Sequence, residues 1–332
     1  MINKSQEEIM KNWVGDINSP LVSIKCTAYN HERFIRDALD GFLMQETTFP
    51  FEVIVHDDAS TDNTASIIKE YEKKYPLIIK PIYEKENQYS KHDGSLTRII
   101  NKQLKGKYVA FCEGDDYWID NNKIKLQKEY FENNNNCSLI ITNGYDENYI
   151  SKKRTTINPY NVSCILDAHQ VIKENGQLPP TCSMMCKKED YFNMPDFFND
   201  CPVGDRPLRF YLITKGYAYY MQEKTCVHVS NVKGSFSERS HNNEYADFIY
   251  RGMCEFFDNY NNYTNYMYKD EIEFVKNREL FVTFLRKGQK KEAIKTQYYK
   301  ETRTLYSKVF DQIVLHIPKE IKEKIKGIIN GK

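Results

Sequence analysis

The strongest constraint on the fold is an alternation. Short apolar runs, each long enough for one strand, are separated by segments with helical spacing, and several runs stop abruptly at polar clusters. Residues 21–26 (LVSIKC) read as a buried strand that ends in a polar loop at 27–30 (TAYN). Residues 31–44 follow with Phe34, Ile35, Ala38, Leu39 and Phe42 on one side, at helical spacing. Residues 51–55 (FEVIV) form a second strand, stopped by Asp57 and Asp58. Residues 60–64 (STDNT) are a helix-start signal, with helix expected over 65–75. A third strand is expected at 77–83, a helix at 95–104 and a fourth strand at 108–111. This order predicts an α/β fold, a parallel sheet with helices on both faces. Ligands in such sheets bind beyond the carboxyl ends of the strands. The polar clusters at 27–30, 57–58 and 113–116 each follow a strand, so they are expected to converge on one edge.

The second half is less regular. Residues 133–136 read as a polar connector, 139–142 as a strand and 150–165 as loop. Residues 204–208 (GDRPL) open a helix, with Pro207 suited to its first turn. Strands are expected at 217–220 and 225–228, and mostly helix over 245–300. With 47 basic and 46 acidic residues in 332, the net charge of +1 speaks against nucleic acid as a partner. Nine cysteines occur without a CxxC pair; Cys182 and Cys186 lack a second pair that would complete a zinc site. Reduced core thiols in a cytosolic protein are the expectation. The N-terminus is polar, without the apolar core of a signal peptide, and no apolar run reaches membrane-spanning length. A soluble or peripheral protein is expected.

Chemistry concentrates at residues 112–118 (CEGDDYW). Glu113, Asp115 and Asp116 are three carboxylates within four residues, directly after an apolar strand. Such acids repel one another unless a cation or solvent offsets the cost. Oxygen ligands suit a hard divalent ion, Mg²⁺ or Mn²⁺, that keeps positions open for phosphate; a solvated acidic turn is the plainer alternative. Gly114 permits close backbone approach.

The order of motifs resembles the family 2 glycosyltransferases with the GT-A fold. Residues 27–32 (TAYNHE) are similar to the family's opening loop, 56–64 (HDDASTDNT) to its second signature, and 113–118 (EGDDYW) to its Asp-x-Asp metal motif in a variant that begins with Glu. Residues 204–208 resemble the region supplying the catalytic base. The likeness covers roughly residues 20–240, and implies an N-terminal arm at 1–19, a GT-A catalytic domain at 20–240 and a helical C-terminal region at 241–332.

The resemblance implies a metal-dependent inverting enzyme moving a sugar from a nucleotide diphosphate, a UDP-sugar, to a saccharide or lipid-linked acceptor. Thr27, Tyr29, Asn30 and Glu32 would line the nucleotide site. Asp57 or Asp58 would accept a hydrogen bond from uracil N3–H, as an acceptor-only group can; capping of the next helix is the alternative. Glu113 would lie near the ribose or metal, Asp115 would ligate the metal, and Asp116 would lie near the metal or sugar. Arg98 would reach a phosphate, unless it is a surface helix charge. Asp205 would be the general base; from the residues alone it reads as a helix cap. His228 would contact the metal or diphosphate, and the loop at 230–237 would close over the donor. Residues 179–185 resemble an acceptor-side stretch, with Ser183 touching the acceptor.

No GxGxxG opening a helix, Walker A loop or HExxH occurs, which disfavours dehydrogenases, P-loop enzymes and zinc proteases. A non-catalytic nucleotide-sugar-binding or scaffold protein of the same fold remains the rival reading; it would be expected to lose Asp115 or Asp205. At the C-terminus, Ile321, Ile325, Ile328 and Ile329 recur at helical spacing beside Lys319, Lys322, Lys324 and Lys326. Such a helix either docks on anionic lipid at the inner face of the cell membrane, packs on its own domain, or pairs within a homodimer.

Overall fold

A computed structural model describes residues 3–91, 93–157, 159–174, 177–240, 242–304 and 308. The C-terminal amphipathic segment lies outside the described residues. The chain divides into two units, Met1–Ser237 and Glu238–Lys332.

The first unit is built on one sheet of ten strands. They are β1 (Val22–Ala28), β2 (Phe51–Asp57), β3 (Ile79–Tyr83), β4 (Tyr108–Phe111), β5 (Tyr117–Trp118), β6 (Cys137–Asn148), β7 (Arg154–Thr156), β8 (Cys164–Leu166), β9 (Met184–Lys187) and β10 (Tyr217–Ser230). The order is β3-β2-β1-β4-β9-β6-β10-β5, with β7 on β6 and β8 on β10. Strands β3, β2, β1 and β4 pair in parallel, as the alternation predicts.

The far half of the sheet is mixed. β9 runs antiparallel to both β4 and β6, and β5 runs antiparallel to β10, while β6 and β10 pair in parallel. The two strands expected at 217–220 and 225–228 are one, β10, kinked by register shifts between Met221 and Cys226. A bulge breaks the period-two pattern without ending the strand. Residues 150–165 are not all loop: β7 lies there, polar and exposed, and β8 starts there, and at three residues each both are too short to stand out as strands.

Helices cover the sheet where their apolar side demands it. The helix Ile35–Leu43 buries Ile35, Ala38, Leu39 and Phe42 against Ile24, Cys26, Val53 and Trp118, within one core cluster. Each large apolar side chain so buried contributes about 1.5–3 kcal/mol. Gly41 lets this helix touch backbone: a Cβ there would stand 2.8 Å from the Trp118 carbonyl oxygen. The nine cysteines are free thiols, six of them buried.

The described residues of the second unit are mostly helical. Asn243–Tyr263 is capped by the Asn242 side chain, which accepts from the Tyr245 amide, and Lys269–Arg286 follows. Phe281, Ala293 and Tyr299 form a small core of this unit. Among the described residues no helix is long and apolar enough to cross a membrane.

Candidate active site

Because β1, β2 and β4 are parallel, the polar segments after them emerge at one edge. The Gly114 amide donates to the Thr27 carbonyl (2.8 Å), and the Asp58 amide to the Ala28 carbonyl (2.9 Å). A Cβ on Gly114 would lie 3.0 Å from His31 Nδ1 and 3.1 Å from the Ala28 Cβ. Glycine is therefore what lets the acidic loop lie against the first loop.

The first two loops are stitched together by hydrogen bonds. The Asn30 amide donates to Ser60 Oγ (2.9 Å), and Asn30 Oδ1 accepts from the Thr61 amide (2.8 Å). The Glu32 amide donates to Asp62 Oδ2 (3.0 Å), and Glu32 Oε2 accepts from the Asn63 amide and side chain at 3.1 and 2.9 Å. Asn30 and Glu32 thus build the scaffold of the site. Tyr29 beside them is 46% exposed, which leaves its ring open to a flat ligand. Asn30 and Ala59 hold left-handed φ values of 57° and 61°, and backbone strain of this kind gathers at functional loops.

Asp57 and Asp58 divide their work. Asp58 is spent on the protein: its Oδ1 accepts from the Gln88 amide (2.7 Å) and its Oδ2 from the Tyr89 amide (3.0 Å). Asp57 meets only the Ser60 amide, at 3.4 Å through Oδ2, and its buried Oδ1 has no partner. A buried acceptor without a donor is uncommon, and at the mouth of a strand edge it asks for a ligand N–H. Neither side chain caps the helix Thr64–Lys74; there Asp62 Oδ1 accepts from the Thr64 amide (2.9 Å).

The acidic loop is electrostatically loaded. Asp116 is almost fully buried, and its Oδ1 accepts from the Val229 amide (2.9 Å). Burial pushes its carboxyl up to about 7, opposed by His228 and reinforced by Asp115. Glu113 is pushed up to about 8 by loss of solvent and by the charges of Asp116, Asp115 and Asp205. Asp115 Oδ2 lies 3.8 Å from His31 Nε2, and His31 Nδ1 is buried without a partner. His228, on β10, is pushed up to about 10: the surrounding protein disfavours its charged form, but Asp116, Asp146 and Asp115 outweigh that.

Asp205 is the first residue of the helix Asp205–Leu212, one position past the cap Gly204. Its Oδ2 instead pairs with Arg209 Nη2 at 2.9 Å, one turn on. Arg209 is 1% exposed and donates a further bond to the Pro179 carbonyl (2.7 Å). Charges on Glu113 and Asp205 both act on Arg209, so this helix start faces the acidic loop.

Two expected contacts fall elsewhere. Arg98, exposed on the helix Ser95–Asn101, turns back on its own loop, donating to the Asp93 carbonyl (2.6 Å). Ser183 is fully buried with its hydroxyl bonded to the Pro180 carbonyl (2.6 Å), so it is not open to an acceptor. Sequence reasoning passed over His31, Asp146 and Arg209. His31 lies inside the first motif, and Arg209 stands one helical turn after Asp205, a spacing that signals an ion pair.

Comparison with known proteins gives the family and the fold. Residues 23–208 match the family described as Glycosyl transferase family 2. The chain belongs to this family, and its mixed α/β architecture is the GT-A fold. A Mycobacterium tuberculosis protein of uncharacterized function is 45% identical over 111 residues, 33% of this chain and 31% of its own length. The chain thus spans about a third of such relatives. The Escherichia coli UDP-Glc:alpha-D-GlcNAc-diphosphoundecaprenol beta-1,3-glucosyltransferase WfgD is 28% identical over 178 residues, 52% of this chain and 67% of that one. Among solved structures, the mannosyltransferase PcManGT from Pyrobaculum calidifontis, in complex with GDP-Man and Mn²⁺, has a TM-score of 0.57 at 14% identity, covering 96% of this chain and 88% of that one.

Proposed function

We propose that this glycosyltransferase moves a sugar from a UDP-sugar to an acceptor hydroxyl with inversion, using Asp205 as general base. The observation that carries the reading is the state of Asp205. It opens a helix, and a buried arginine holds its carboxylate in a region it shares with Glu113. A carboxylate so held is suited to take the acceptor's proton as the new bond forms on the sugar face opposite the leaving diphosphate.

The donor's base would stack on Tyr29 and give its N3–H to Asp57 Oδ1, the free acceptor of the pair. Among the described residues no three His, Cys, Asp or Glu side chains form a closed metal cage. An open site fits a Mg²⁺ or Mn²⁺ that takes one or two protein ligands and completes its shell with phosphate and water. The acids fit it too: burial first, and neighbouring carboxylates after it, raise Glu113 and Asp116 and so disfavour their charged forms, a cost that a cation among them would offset. Asp115 and His228 would hold the ion, which when bound would neutralise charge on the departing diphosphate. Asp116, tied to the Val229 amide, would support the site from beneath.

The relative WfgD acts on a diphosphoundecaprenol-linked sugar by its name, and a lipid-linked saccharide of surface-polysaccharide assembly is the acceptor class we assign here. Such an acceptor would bring the enzyme to the inner face of the cell membrane. The scaffold reading is weakened by the presence of both Asp115 and Asp205 in this arrangement. The test is a panel of nucleotide sugars assayed for hydrolysis and transfer, with and without EDTA. UDP-sugar turnover lost to EDTA and restored by Mn²⁺, with an inverted anomer by NMR, is expected. Full turnover in EDTA, or a retained anomer, overturns the reading.

A further inference from the structure

His228 on β10 stands in register with Asp146 on the parallel strand β6. Side chains alternate faces along a strand, so Ser230, two residues on, shares the face of His228. Both oxygens of Asp146 are engaged on that face. Its Oδ1 lies 2.8 Å from His228 Nδ1, and its Oδ2 accepts the Ser230 hydroxyl at 2.9 Å. A carboxylate only accepts, so Nδ1 is the donating nitrogen. The other ring nitrogen, Nε2, makes no hydrogen bond among the described residues.

An imidazole at a half-exposed strand end, held by nothing, would turn about its ring bond and choose either tautomer. Here the ring is tied at one nitrogen, and the carboxylate that ties it is braced in turn by a hydroxyl. We propose that Asp146 is a positioning residue for the transfer reaction: it holds Nδ1 of His228, so that Nε2 is the nitrogen presented to the donor's diphosphate and the ion that accompanies it. Ser230 is the brace that keeps the Asp146 carboxylate in the plane this requires. Asp146 itself touches neither donor nor acceptor. The proposal rests on the role assigned to His228 above and adds to it the residue through which that role is set. Partners of this kind, one shell removed from the ligand, change affinity or activity by about 10–100-fold when lost.

The test is a double-mutant cycle in the full chain, with Asp146→Ala, His228→Ala and the pair, read by calorimetric affinity for UDP with Mn²⁺ and by kcat and KM. Nitrogen-15 NMR of the ligand-free protein supplies a readout independent of activity. Asp146→Ala is expected to weaken UDP binding about 10–100-fold and to lose the slowly exchanging Nδ1 proton of His228. Asp146→Asn, whose amide oxygen can still accept from Nδ1, is expected to restore most of the affinity. The pair is expected to bind no worse than His228→Ala alone, because a residue acting through another has nothing left to contribute once that one is gone. Additive losses, or an unchanged affinity in Asp146→Ala while His228→Ala is impaired, overturn the inference and leave the role of His228 standing. An unchanged affinity in His228→Ala overturns both. Should Asp146→Ala fail to fold, Ser230→Ala removes only the brace: about a threefold loss of affinity and faster exchange of the Nδ1 proton are expected, and no change in either refutes the proposal.

Discussion

Gly41→Ala sets two effects of known sign against each other. Gly41 lies inside the helix Ile35–Leu43, where alanine is intrinsically preferred to glycine by about 1 kcal/mol. Propensity alone therefore predicts a more stable protein. The new Cβ, however, would stand 2.8 Å from the Trp118 carbonyl oxygen, 2.9 Å from its amide nitrogen and 3.3 Å from its Cα. All three are backbone atoms, so no rotamer change relieves the contact. Either the helix or the segment carrying Trp118 must move by several tenths of an ångström. Overpacking of this kind costs about 1–3 kcal/mol, and the rigidity of the neighbour puts it in the upper half. The net expectation is a loss of about 1–2 kcal/mol after the propensity gain is subtracted. Urea unfolding followed by circular dichroism measures it. The displacement also falls two residues beyond Asp116, so weaker metal-supported UDP binding is expected in the folded variant. A variant about 1 kcal/mol more stable than the parent would show that propensity wins and that the close approach is not as described.

Arg209→Met keeps the buried stem but removes the partner of the partly exposed Asp205 and the donor to Pro179; a loss of about 2–4 kcal/mol in urea unfolding is expected, and a loss under about 1 kcal/mol would mean that Arg209 does not hold these groups. Asp58→Ala should behave as a stability variant, losing about 2–4 kcal/mol with the two amide bonds, whereas Asp57→Ala should chiefly raise the Kd for UDP; the reverse pattern in paired unfolding and calorimetry experiments would exchange their roles. Asp115→Ala should abolish transfer and sharply weaken UDP binding with Mn²⁺ present, and equal affinity in variant and parent would remove Asp115 from the metal site.

The near half of the fold was legible because its physics is local. β1, β2 and β4 are apolar runs ended by polar clusters, and once they pair in parallel those clusters have to meet. The far half depends on pairing that no window of sequence carries. The strand expected at 139–142 runs on through residues 143–148 (NGYDEN), because β10 and β7 supply their backbone partners on either side. Asp146 was missed for that reason: it stands in the stretch taken to be beyond the strand. β10 was split in two because its bulge shifts the register where Gln222, Glu223 and Lys224 are exposed. Within the candidate site, residue types marked the carboxylates but not the partners each one has. Nothing in an Asp-Asp pair reveals that Asp58 is tied to the loop at 88–89 while Asp57 keeps a free oxygen. Asp205 read as a cap for the same reason, since its bond to Arg209 is visible only once the helix starts at Asp205 itself.

The central claim is that Asp205 takes the acceptor's proton, and Asp205→Asn tests it most directly. The amide keeps the shape and can still accept from Arg209, so the fold and the nucleotide site should be preserved. Transfer is measured with the preferred nucleotide sugar and a saccharide acceptor, alongside calorimetric UDP affinity. UDP binding equal to the parent and transfer lower by about 10²-fold or more are expected. Transfer within a few fold of the parent, with UDP binding intact, would contradict the claim.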